Sequence, residues 1–112
     1  MALELKSLQQ VDGFWKSNLL ELKLYPMGET SGTVFFCYAI AWGINNGILE
    51  KKEYLPVVKN AWKALSSAIH PDGQLGFVQP GGDRPYLSTY ELSNWYSAGG
   101  FLMAARQVLK LN

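Results

Sequence analysis

The stretch from Gly28 to Leu49, GETSGTVFFCYAIAWGINNGIL, constrains the chain more than any other. It opens with the polar, turn-prone residues Glu29, Thr30, Ser31, Gly32 and Thr33. It then runs almost unbroken in apolar side chains from Val34 to Ile44 and closes on Asn45-Asn46-Gly47. Thr30 or Ser31 is the expected N-cap, because a short hydroxyl side chain accepts a hydrogen bond from a free first-turn N–H. Asn46-Gly47 supplies residues that tolerate the left-handed conformation where a helix stops. Between these signals Phe35, Phe36, Tyr38, Ile40, Trp42 and Ile44 point in different directions around the helix. A water-soluble helix that is apolar all round must be covered by protein on every side. It is therefore expected at the centre of the fold, with a polar mouth at its N-terminal end.

The rest of the chain is arranged about that helix. Residues 2–11 read as a short helix stopped by Asp12-Gly13, and residues 14–27 as an extended, aromatic-containing connection. From about Tyr54 to Ile69 the residues Leu55, Val58, Ala61, Trp62, Leu65, Ala68 and Ile69 recur at helical spacing, with Lys59, Lys63 and Ser66 opposite. Pro56 fits the first turn, which needs no amide donor. His70-Pro71-Asp72-Gly73 is a turn, Leu75–Val78 a short strand within an extended segment 74–79, and Pro80-Gly81-Gly82-Asp83 a loop. A last helix is expected over residues 93–110, where Ser97, Ala98, Gly99 and Gly100 permit close helix approach. The helices near 31–46 and 93–110 should lie side by side, with 54–69 outside them.

With 112 residues the chain is at most one domain. Its 17% of charged residues lies below the usual quarter, and a net charge of +1 leaves no footprint for nucleic acid or an acidic membrane. No apolar run is long enough to span a bilayer, and the compartment stays undetermined. The single cysteine, Cys37, reads as a buried core thiol. One Cys and one His do not make a metal site, and no cofactor is implied.

LQQVDGFW (Leu8–Trp15) and AIHPDGQLGF (Ala68–Phe77) echo each other: a helix end, Asp-Gly, then an aromatic segment. Between Asp12 and Asp72 lie one all-round apolar helix and one amphipathic helix. Such a pair cannot cover its own inner face and must be repeated around a ring or along a solenoid. The chain carries barely two such units, so the residues alone suggest part of a helical toroid.

ETSGT followed by VFFCYAIAWGINNGILEKKEYLPVVKNAWKAL resembles the C-terminal region of the unsaturated glucuronyl and rhamnogalacturonyl hydrolases, glycoside hydrolase families 88 and 105. DGFWKSNLL resembles their Asp-Gly-Leu-Trp segment, and YSAGGFLMAA (Tyr96–Ala105) their closing stretch. The resemblance covers essentially the whole chain. It implies an all-α fold in which residues 1–112 form a single partial domain: αα-hairpins making about two of the six hairpins of an (α/α)6 toroid, with short extended connections. It implies bacterial breakdown of the pectin or glycosaminoglycan fragments left by polysaccharide lyases, by hydration of the C4–C5 double bond of an unsaturated uronic acid. This chemistry differs from two-carboxylate attack at the anomeric carbon. The family's catalytic aspartate lies upstream of everything here, and Asp12, Asp72 and Asp83 fall in segments that do not match it. No catalytic residue is therefore assigned.

The candidate substrate-binding residues are Trp15, Glu29, Thr30, Ser31, Arg84, Trp95 and Tyr96. Each has a structural reading beside the functional one. Trp15 can stack on a sugar ring or pack beneath the loop. Glu29 can line the cavity or stabilise a helix N-terminus. Thr30 and Ser31 are caps first and hydroxyl partners of a uronate second. Trp95 and Tyr96 open the last helix toward the cavity. Arg84 is the one cation of the Gly-rich loop and can approach a carboxylate. His70 reads as a surface residue beside a helix end, and not as a base. The expected ligand is an unsaturated uronate oligosaccharide, with self-association through bare helix flanks at Phe35, Tyr38, Trp42, Phe101 and Leu102. The alternative is a freestanding helical module that binds carbohydrate or protein without catalysis.

Overall fold

A computed structural model describes residues 1–112 as four α-helices with no strand. They are α1 (Ala2–Leu8), α2 (Thr30–Asn45), α3 (Lys51–Ser67) and α4 (Trp95–Leu109). α2 is the hub, packed closely against both α4 and α3, while the α3 and α4 backbones stay farther apart and touch through the Trp62 and Phe101 rings. α2 and α3 form a hairpin through the Asn46–Glu50 connection, where Gly47 takes the left-handed turn (φ +71°). α2 and α4 run parallel: Ser31 and Tyr96 line one concavity at their N-terminal ends, and Asn45 Nδ2 donates to the Gln107 carbonyl (2.9 Å) near their C-terminal ends. At the crossing, a Cβ on Gly100 would sit 2.8 Å from Val34 Cγ2, so only glycine fits without displacing that side chain.

The core gathers Val34, Cys37, Ile40 and Ala41 of α2, Val57, Val58, Ala61 and Leu65 of α3, and Ala104 of α4. A fully buried apolar side chain of Val or Leu size contributes about 1.5–3 kcal/mol. Burial pushes the Cys37 thiol up to about 12, so it stays protonated and inert. Lys59 and Lys63 lie on the wet face of α3, as its periodicity requires. α2 is not covered all round within this chain, however. Phe35 (43%) and Trp42 (41%) stay open, and so does Leu102 of α4 (70%). Tyr38 is half-buried, as is Phe101, which stacks on Trp62 with ring centroids 4.9 Å apart.

Four local expectations are corrected. α1 stops at Leu8, not 11, because Gln9 turns extended and its side-chain Nε2 donates to the Gly13 and Val57 carbonyls. α3 starts at Lys51, so Pro56 lies inside the helix and not in its first turn, leaving the Lys52 carbonyl without its i+4 donor. Residues 75–78 form no strand. Gly76, Phe77 and Val78 donate in turn to the carbonyls of Ala68, at the end of α3, and of Thr89 and Leu92, in a single turn, so no ladder builds. The left-handed Phe77 (φ +57°) bends this segment. The N-cap of α2 is Glu29, not Thr30 or Ser31.

Candidate functional site

The polar mouth of α2 is built around the Glu29 carboxylate, which is 1% exposed. Oε1 accepts from Ser31 N (2.9 Å), Ser31 Oγ (2.6 Å) and Gln79 N (3.2 Å), and Oε2 accepts from Gly32 N (2.8 Å). A negative side chain here meets both the free N–H groups and the positive end of the helix dipole. The Gln79 bond also ties α2 to the Gly-rich loop, and Gln79 Oε1 in turn accepts from Tyr86 N (3.1 Å). Thr30 is fully buried, donating from Oγ1 to the Gly76 carbonyl (2.7 Å). Trp15 is 1% exposed: its Nε1 donates to the Leu5 carbonyl (2.8 Å) and its ring meets Phe36 edge-on. No ring face is open to a sugar, so Trp15 packs beneath the loop.

Three of the seven candidates converge elsewhere. Ser31, Arg84 and Tyr96 line one open concavity of about 310 Å³, with Ser17 and the Gly-rich loop residues Gln79, Pro80, Gly81, Gly82 and Pro85. Ser31 points its hydroxyl hydrogen at Glu29, which leaves its lone pairs to accept from whatever enters. Arg84 is exposed, 5.5 Å over the Tyr86 ring, and belongs to none of the chain's three ion pairs. No carboxylate lines this concavity. Asp12 pairs with Lys16, Asp72 accepts from Gln74 N (3.0 Å), and Asp83 from the Tyr86 hydroxyl (3.4 Å). Trp95, 84% exposed, lines a separate concavity on its other side. Glu29 and Thr30 support the mouth from behind and do not line it.

Sequence reasoning missed Ser17 and Gln79. The tandem glycines signalled the loop but not the carboxylate that anchors it. His70 does more than border a turn. It stacks on Tyr90 (3.7 Å between ring centroids, 13° between planes) and hydrogen-bonds the Tyr90 carbonyl, bracing the segment that leads into α4.

The sequence profile of Glycosyl Hydrolase Family 88 matches residues 1–112, and the chain belongs to that family. It is 44% identical over 111 residues to an unsaturated 3S-rhamnoglycuronyl hydrolase of Formosa agariphila, covering 99% of this chain and 29% of that protein. A protein of the same description from Alteromonas is 36% identical over 108 residues, with 96% and 26% covered. Among solved structures, a family 88 glycosyl hydrolase from Bacteroides vulgatus superposes with a TM-score of 0.93 at 34% identity, over 100% of this chain and 33% of that one. A structure described as a polysaccharide lyase gives 0.90 at 38% identity, over 98% and 32%. The chain thus spans about a third or less of the length of each.

Proposed function

We propose that residues 1–112 form a wall of the substrate site of an unsaturated uronyl hydrolase, and that the concavity around Ser31, Arg84 and Tyr96 receives the uronate end of its oligosaccharide. The observation that carries this reading is a guanidinium with no carboxylate partner, in a polar concavity that contains no acid. Glu29 already answers the positive end of α2, so Arg84 is the cation left for a ligand carboxylate. Ser31 accepts from a sugar hydroxyl, and Tyr96 offers an aromatic flank. In the whole protein α2 and α4 are inner helices and α3 an outer helix of an (α/α)6 toroid, of which this chain makes about two hairpins.

The reaction adds water across the C4–C5 double bond: a proton goes to C4 and the water oxygen to C5. The hemiketal so formed opens and releases the neighbouring sugar. The concavity has no group to deliver that proton, so the acid comes from outside residues 1–112, and this chain by itself binds without turnover. The direct test adds an unsaturated uronyl disaccharide to a full-length hydrolase in which residues 1–112 are joined to the remaining hairpins, and follows the ultraviolet absorbance of the conjugated uronate. Absorbance falls if the protein is a hydrolase. The description of one structural relative as a lyase raises a different reaction, elimination of the C4-linked sugar with loss of the C5 proton, which forms the double bond and makes absorbance rise on an intact polysaccharide. No change with either substrate overturns both and leaves a binding module. The open strip of Phe35, Trp42 and Leu102 is the proposed self-association face. A clean monomer by light scattering at micromolar concentration would remove that proposal.

A further inference from the structure

The loop that carries Arg84 is fastened at both ends. At its start Gln79 N donates to Glu29 Oε1 (3.2 Å). Past its tip the Tyr25 hydroxyl donates to the Pro85 carbonyl (3.3 Å), and Ser88 Oγ donates to the Gly28 carbonyl. Within the loop three contacts meet at Tyr86. Its N–H donates to Gln79 Oε1 (3.1 Å), and its hydroxyl donates to Asp83 Oδ1 (3.4 Å). Its ring lies on the Cα of Gly82, where a Cβ would come within 2.3 Å of Tyr86 Cε2. These contacts set a half-buried ring beneath an exposed arginine, with Arg84 Cζ 5.5 Å over the ring centroid. Arg84 enters no ion pair, and the ring is what its guanidinium rests on. A loose arginine gives up rotamer entropy when it pairs with a ligand, and one already laid on a ring gives up less. Tyr86 itself does not line the concavity.

We infer that Tyr86 is a positioning residue of the uronate subsite: its ring, seated on Gly82 and tied through Gln79 to Glu29, holds Arg84 where the ligand carboxylate arrives. The inference rests on the reading of the Arg84 concavity proposed above. It adds that charge recognition there is set by a side chain behind the cation, one that touches no sugar. Gly82 gains a reason as well, because any side chain at that position pushes the ring away.

The test uses a full-length hydrolase that contains residues 1–112, with a saturated uronyl disaccharide and its methyl ester as ligands. Neither ligand has the double bond, so neither is turned over, and calorimetry gives the acid-to-ester affinity ratio. Tyr86→Leu should lower that ratio about threefold to fivefold, the worth of an exposed cation–π contact. Tyr86→Phe keeps the ring and should restore most of the ratio. Gly82→Ala should lower it, because the added methyl displaces the ring. A general loosening of the loop weakens acid and ester alike and leaves the ratio unmoved. Circular dichroism of each variant should match the parent, since the loop lies outside the helices. A parental preference for the acid that Tyr86→Leu leaves untouched, or that Tyr86→Phe loses equally, overturns the positioning role while the uronate reading stands. A parent that binds acid and ester equally overturns the two together.

Discussion

The N-termini of α2 and α4 lie beside each other, yet they are finished in opposite ways. α2 begins on a buried carboxylate with all four of its contacts inside the protein, one of them reaching from residue 29 to residue 79. α4 begins on Asn94, which makes one local bond, and its first residue stands in solvent. One end is locked into the fold and the other is left available. The contrast explains why candidates that read alike in sequence separate in space. Glu29 and Thr30 hold the mouth together, whereas Ser31 and Tyr96 line the concavity at it and Trp95 stands in solvent.

The two caps should differ most under substitution. Glu29→Ala strips a charged acceptor from four buried or half-buried donors and should cost about 3 kcal/mol or more. Asn94→Ala should cost about 1 kcal/mol. Urea denaturation of both variants checks the ordering. Equal losses would mean that Glu29 does no more than an ordinary exposed cap. This also revises the expectation that Glu29 lines the cavity, because its loss should appear first as lost stability.

Adjacent glycines of α4 give a smaller contrast of opposite sign. Gly99→Ala meets nothing within 4 Å and should stabilise the protein by about 0.5–1 kcal/mol through helix propensity. Gly100→Ala meets Val34 Cγ2 at 2.8 Å and the Phe35 ring at 3.3 Å, and should destabilise by about 1–2 kcal/mol. Thermal melts of the pair test whether α2 and α4 approach as closely as described. Stabilisation by both would show that they do not.

Much of the fold was legible in the sequence, because three of its helices carry long, consistent patterns. Val34–Ile44 and the lysine-faced α3 announced themselves through apolar spacing, and Gly47 marked a stop. The misses share a physical cause, which is that tertiary partners decided them. A glutamate is an unfavoured N-cap locally, and it wins at Glu29 because Gln79 and Ser31 complete its shell. Residues 75–78 have the composition of a strand, but the fold gives their amides three different partners. Of the candidate site, the residue types were readable and their grouping was not. Ser31 lies more than fifty residues before Arg84 and Tyr96, and the parallel docking of α4 on α2 together with the Gln79–Glu29 bond brings the three to one concavity.

The central question is whether Arg84 recognises a carboxylate. The most direct measurement compares binding of the unsaturated uronyl disaccharide with that of its methyl ester, which keeps the sugar and removes the charge. The free acid should bind at least about tenfold more tightly, as expected for a charge-assisted hydrogen bond. Arg84→Met should erase the difference, with little change in stability because the side chain is exposed and has no ion-pair partner in the protein. Equal binding of acid and ester, or a preference for the acid that survives Arg84→Met, would contradict the assignment of this concavity to the uronate.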